Sequence, residues 1–215
     1  MRRARRVAAV LALAAATALA GCSALHPRQP VPATTEGEWG AARFAATRRF
    51  MLYDGLVHRA TATATYLGPA EREARARRLA EWLDWTPEEL DRRLAAERAS
   101  AASEEQFLLS FYTADSKVND LDAASSVWRV ALHVDGAELL PVHVEGVEPD
   151  ATVRGLFPFV GPFDVVYLVH FPKAPGGALA GRAFELRISS ALGKIPLDFA
   201  EVDGVEHPAP AAPAP

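Results

Sequence analysis

Trp128-Arg129-Val130-Ala131-Leu132-His133-Val134-Asp135-Gly136 alternates large apolar residues with small or polar ones and closes on a dipeptide suited to a tight turn. A period of two is the spacing of a strand with one buried face, and Asp-Gly after such a run signals a hairpin. Leu140, Val142 and Val144 repeat the apolar set beyond the turn. Keeping both sets on one face calls for a loop of three or five residues, because a two-residue loop would pair inward with outward positions. On either side the same period recurs. Phe107-Leu108-Leu109-Ser110-Phe111-Tyr112 reads as an earlier strand, and Phe163 to Phe171, apolar on both faces, as a central one. Phe184, Leu186 and Ile188 alternate with Glu185, Arg187 and Ser189; Ile195, Leu197 and Phe199 make a last strand that Pro196 confines to an edge or a strand start. About six short strands with turn-rich connections imply an antiparallel immunoglobulin-like sandwich over 104–204, although the Cys-Trp-Cys signature is missing. Asp150 to Leu156 reads as one helical turn between strands.

Residues 36–103 carry a different spacing. Ala46, Phe50, Tyr53, Val57, Ala60, Ala64 and Leu67 recur at fours and threes, the pattern of one long amphipathic helix that Gly68-Pro69 would end. A second helix presents Ala76, Leu79, Ala80 and Leu83 on one face. Thr86-Pro87-Glu88-Glu89 is a dense start signal for a third, with Thr86 as N-cap, Pro87 at the first helical position and Glu89 closing a capping box. The fold class expected is α+β: a three-helix N-terminal hairpin on the sandwich.

Met1 to Cys22 explains where such a module would work. Arg2, Arg3, Arg5 and Arg6 precede an apolar run from Val7 to Ala20, shorter than the roughly 20 residues a membrane span needs. Residues 1–21 therefore read as a secretory signal peptide. Leu19-Ala20-Gly21-Cys22 resembles the lipobox of bacterial lipoproteins. That resemblance implies cleavage between Gly21 and Cys22, a diacylglyceryl group on the Cys22 thiol, and, with Ser23 following, sorting to the outer membrane. It also accounts for a lone cysteine in an exported chain. Pro27, Pro30 and Pro32 make 22–35 an extended linker, and the Pro-Ala repeat of 205–215 a disordered tail. The segments Tyr112-Thr113-Ala114-Asp115, Asn119-Asp120-Leu121 and Ser126-Val127-Trp128 are similar to a group of uncharacterised bacterial lipoproteins, which brings no activity with it.

The chain has 215 residues and a formal charge of -4, and losing the leader's four arginines would take it to -8. Nucleic acid is a poor partner for such a charge, since binding it requires a basic face. The arginines of 36–103 are matched by acids at i,i+4 spacing, Glu73 with Arg77 and Glu89 with Arg93 among them.

Three candidate sites follow from residue chemistry. Asp115, Asn119, Asp120 and Asp122 are hard oxygen donors of the kind calcium takes, but their spacing departs from an EF-hand loop and equally suits Asx-turns. His133 and His143 fall on the outward face of the expected hairpin, roughly 7–8 Å apart at Cβ, too few and too distant for zinc. His58 would pair with Asp54 along the first helix. Phe157 and Phe159, in a proline-rich loop, are candidates for partner contact or a plug for the end of the sandwich. No Gly-x-Ser-x-Gly, phosphate loop or His-Glu-x-x-His occurs, so no catalytic residue is assigned. The expected role is binding or scaffolding by a lipid-anchored, periplasm-facing protein of the outer membrane, attached through Cys22 and serving an envelope protein partner. The alternative is a metal-assisted or carboxylate-dependent envelope hydrolase.

Overall fold

The computed structural model describes residues 36–199. The expected signal peptide over 1–21, Cys22 with the expected linker, and the Pro-Ala tail lie outside the described residues. Element order is α1 (Gly37–Ala45), β1 (Thr47–Asp54), β2 (Val57–Tyr66), α2 (Pro69–Leu83), α3 (Pro87–Ser103), β3 (Glu104–Thr113), β4 (Arg129–Val134), β5 (Ala137–Leu139), β6 (His143–Val147), α4 (Ala151–Leu156), β7 (Val165–Pro172), β8 (Phe184–Ser190) and β9 (Gly193–Asp198). The strands form a five-stranded sheet, β1-β2-β3-β7-β6, and a four-stranded sheet, β5-β4-β8-β9. All neighbours are antiparallel, so the chain is α+β.

One core takes side chains from both sheets, with Ala62, Phe107, Leu109 and Val169 from the first and Leu132, Leu186, Ile188 and Ile195 from the second. Each large side chain buried there contributes about 1.5–3 kcal/mol. At one corner the sheets come close: Arg48 Nε donates to the Asp198 carbonyl at 2.9 Å. A Cβ on Gly193 would lie 2.8 Å from Leu52 Cδ1, and its φ of +140° is one L side chains rarely adopt. A second core lies on the outer face of the five-stranded sheet, where Trp39, Leu67, Leu108, Leu156, Phe157 and Val166 meet.

Several expectations hold. Thr86 Oγ1 accepts from the Glu89 N–H at 3.3 Å and Pro87 opens α3. Asp150 caps α4, accepting from the Val153 N–H at 2.8 Å. Pro196 lies in β9, an edge strand. The arginines of α2 and α3 are paired, Arg77 with Glu73 and Arg93 with Glu89 as expected, while Arg75–Glu97 and Arg98–Glu73 tie the two helices together.

The long helix over 46–67 is overturned. That stretch is the β1–β2 hairpin, with Asp54 opposite Val57 and Gly55 at φ +58°. Ala60, Ala62 and Ala64 are fully buried while Thr61, Thr63 and Thr65 face the other way, an alternation of period two that the four-and-three spacing of apolar residues overlay. The threonines are β-branched and favour a pleated surface over a helix, and Gly55, which would weaken a helix, supplies the turn. Residues 36–103 are therefore not a helical segment apart from the sheets, because β2 pairs directly with β3.

The second hairpin is also corrected. Asp135 (φ 47°) and Gly136 (φ 78°) form a two-residue turn, and both angles positive are what a twist-matched type I′ turn requires. Val134 pairs with Ala137 and Leu132 with Leu139. The chain then leaves this sheet, so Val144 lies in β6, opposite Val169 of the other sheet. His133 and His143 therefore belong to different sheets: His133 pairs with Glu138, and His143 with His170.

Candidate functional site

The helices and the 157–160 loop cover the outer face of the five-stranded sheet over Leu108, Val166 and Leu168. Toward the β1–β2 turn that face is open. Register there sets Arg49 opposite Thr63 and Thr63 opposite Ser110, with Met51, Thr61 and Tyr112 in the next row. An irregularity between Leu52 and Tyr53 leaves Arg59 as an extra residue on β2, so that Tyr53 pairs with His58. Bulges re-aim side chains in this way: strict alternation would send His58 inward with Ala60, whereas here it lies on the face of Thr61.

The result is a cleft of about 280 Å³ lined by Arg49, His58, Thr61, Thr63, Tyr112, Phe159, Gly161 and Asp164. A neighbouring recess shares Tyr112 and is closed by Ser116 and Phe163, the latter 80% exposed. His58 Nε2 is 2.8 Å from Thr61 Oγ1. Its ring stacks on Tyr112 at 5.3 Å between centroids and 6° between planes, with Tyr53 at 5.1 Å on its other flank. On the opposite wall Asp164 Oδ2 accepts from Ser110 Oγ at 2.6 Å and from the Gly161 N–H at 2.9 Å. These two bonds fix one carboxylate oxygen and leave the other.

Arg49 is the one arginine among the described residues with neither a hydrogen bond nor an ion pair. A second recess, near Arg48, Tyr66, Glu71, Arg182 and Phe199, is different: Arg48 donates to backbone carbonyls and Arg182 pairs with Asp135. Burial there raises the Glu71 carboxyl above its usual range.

The expected calcium ligands serve the loop itself. Asp115 caps a short 3-10 turn, accepting from the Lys117 N–H at 3.1 Å, and Asp120 Oδ1 accepts from Ser126 Oγ at 2.9 Å. Asn119 donates to the Phe111 carbonyl at 2.8 Å and accepts from the Tyr167 hydroxyl, while Asp122 is exposed beside Gly146. Among the described residues no group of three or more His, Cys, Asp or Glu side chains forms a metal centre. Phe157 is 1% exposed and packs edge-on against Trp39 at 5.4 Å, so it plugs the fold rather than offering a contact; Phe159 is half-buried and forms one wall of the cleft.

Arg49, His58, Thr63, Tyr112 and Asp164 are the functional candidates that residue patterns did not reveal. The missed signal is Thr61-Ala62-Thr63-Ala64-Thr65, whose strict alternation marks a sheet face. No protein-family model matches the chain, and neither a curated protein nor a solved structure matches it.

Proposed function

We propose that the chain is a bacterial lipoprotein, anchored to the outer membrane through lipid on Cys22, facing the periplasm and acting as a binding module for an envelope partner. The observation that carries this address is Leu19-Ala20-Gly21-Cys22, which resembles a lipobox, behind an arginine-rich start and a short apolar run. Two or three acyl chains make a lasting anchor where one holds only marginally. None of the described helices is long and apolar enough to cross a membrane.

Binding is supported by the cleft on the open sheet face, lined by His58, Tyr112 and Phe159, whose Arg49 has no partner among the described residues. In the same reading α2 and α3 are a helical hairpin, and the two sheets are an immunoglobulin-like sandwich in their layers but not in their strand order. The five-stranded order β1-β2-β3-β7-β6 differs from either sheet of that fold.

The address is tested by radiolabelled palmitate incorporation and membrane fractionation of wild type and Cys22→Ala. Wild type takes up label and fractionates with the outer membrane, while Cys22→Ala accumulates as unlabelled, uncleaved precursor. Normal processing of the variant would overturn the address.

A further inference from the structure

The geometry points to a ligand class for the cleft: a short peptide with free ends, its C-terminal carboxylate on Arg49 and its terminal ammonium on Asp164. This assignment rests on the reading of the chain as a binding module and goes on to name what is bound.

Charge complementarity is the first ground. The other arginines among the described residues are engaged, and Arg43, Arg59, Arg75, Arg77, Arg98 and Arg129 pair with acids. Arg49 is exposed on β1, with no acid or carbonyl among the described residues receiving its donors. A guanidinium offers a planar fork matched to a carboxylate. Across the cleft, Asp164 has no cationic partner among the described residues. Its Oδ2 is held by Ser110 and Gly161, which fixes the carboxylate while leaving Oδ1 as an acceptor. A Cβ at Gly161 would lie 3.2 Å from both Asp164 oxygens, so glycine permits this close seat.

Separation is the second ground. Arg49 is on β1, and Asp164 reaches Ser110 on β3, two strand spacings away, or roughly 10 Å. That spacing is between strand backbones; no ion pair joins Arg49 to Asp164 among the described residues, and an extended chain advances about 3.3–3.6 Å per residue. A peptide of about three residues thus matches the span. Between the two charges the floor is Thr61, whose hydroxyl already bonds His58, and Thr63, which is 6% exposed. The stacked His58 and Tyr112 rings and the Phe159 wall give a side chain an apolar face.

An uncharged sugar would use the rings and hydroxyls but leave Arg49 and Asp164 unanswered, and a simple anion would use Arg49 alone. Only a ligand carrying both charges engages every group, which decides between the classes.

The test is titration calorimetry with the full chain in detergent, using alanyl-tyrosyl-alanine, its C-terminal amide and its N-acetyl form. The free tripeptide binds, and amidation and acetylation each weaken binding by about tenfold or more. In Arg49→Gln amidation has no further effect, and in Asp164→Asn acetylation has none. Arg49 is exposed and its side chain makes no hydrogen bond or ion pair among the described residues, so Arg49→Gln leaves thermal unfolding unchanged. Should Asp164→Asn disturb its loop, the wild-type peptide series alone still decides the matter. Absence of saturable binding at millimolar tripeptide would overturn the assignment, as would equal affinity for the amide or tighter binding of maltose. Failure of this series with normal Cys22 processing removes the ligand class and keeps the address; binding together with aberrant processing does the reverse.

Discussion

His170 Nδ1 stands 2.8 Å from Glu104 Oε2, at the point where α3 runs into β3 without an intervening loop. The other carboxylate oxygen accepts from Ser100 Oγ at 2.7 Å. Burial alone would raise the Glu104 carboxyl, but the hydrogen bonds from Ser100 and His170, with the charges of His170 and Arg72, outweigh it and hold Glu104 below the usual carboxylate range. A carboxyl depressed by folding contributes stability that is fully present above its unfolded pKa, ordinarily 4.5, and lost as pH falls through the folded value. Glu104→Gln is therefore expected to cost about 1–3 kcal/mol at neutral pH. Its deficit relative to wild type should shrink as the solution is taken below the depressed pKa. Urea unfolding of both proteins at stepped pH measures this, and a deficit that stays constant into acid would show that the charge on Glu104 contributes nothing.

Arg72 presents a different balance, being 1% exposed. Nε donates to the Leu67 carbonyl at 2.7 Å and Nη1 to Ser100 Oγ at 2.6 Å, with Glu104 Oε1 at 3.8 Å; Nη2 has no partner among the described residues. Burial lowers its pKa, opposed by Glu97 and Glu104. Because Nε and Nη1 serve partners on different elements, Arg72→Lys should not restore the network. Arg72→Ala should cost about 3–5 kcal/mol, through the lost hydrogen bonds to the Leu67 carbonyl and Ser100 Oγ and a cavity. Arg72→Met, which fills the space, should be milder than Arg72→Ala. Urea midpoints of the three variants check the order, and a wild-type midpoint for Arg72→Lys would refute the role given to the guanidinium fork.

Much of the fold was legible where local chemistry and tertiary packing agree. The cap at Thr86, the turn at Asp150 to Leu156 and the strands through Phe107, Val169 and Leu186 each carry one dominant pattern. Residues 46–67 carry two: apolar residues at fours and threes, and alanine alternating with threonine. Alanine is the best helix former and small enough for a sheet interior, so the deciding fact is the partner, and β2 lies between β1 and β3. Asp54-Gly55 is a second Asp-Gly step, a hairpin signal in the sequence, although here Asp54 pairs with Val57 and Gly55-Leu56 make the turn.

The site was less legible. Arg49, Tyr112 and Asp164 are far apart in the chain, and only the pairing of β1, β2 and β3, with the bulge at Arg59, sets them around one cleft. Phe157 illustrates the converse, since an aromatic in a proline-rich loop looks the same in sequence whether it meets a partner or, as here, Trp39.

Tyr167 governs the acidic loop that oxygen-donor chemistry alone would assign to calcium. Its hydroxyl donates to the Asn119 carbonyl at 2.9 Å, lies 3.0 Å from Asn119 Oδ1, and accepts from the Leu121 N–H at 3.3 Å. Burial raises the phenol to about 12, with the Leu121 hydrogen bond opposing, so it stays protonated through the physiological range. Tyr167→Phe removes the hydroxyl and leaves the Leu121 N–H, which is buried, unpaired. The expected cost is about 1–3 kcal/mol, with faster limited proteolysis between Ala114 and Val127. With the loop organised by Tyr167 and by the side chains of Asp115 and Asp120, millimolar calcium should leave the thermal midpoint of wild type and variant unchanged. A calcium-dependent rise in the wild-type midpoint would mean that the carboxylates, already engaged as turn acceptors, rearrange around a cation.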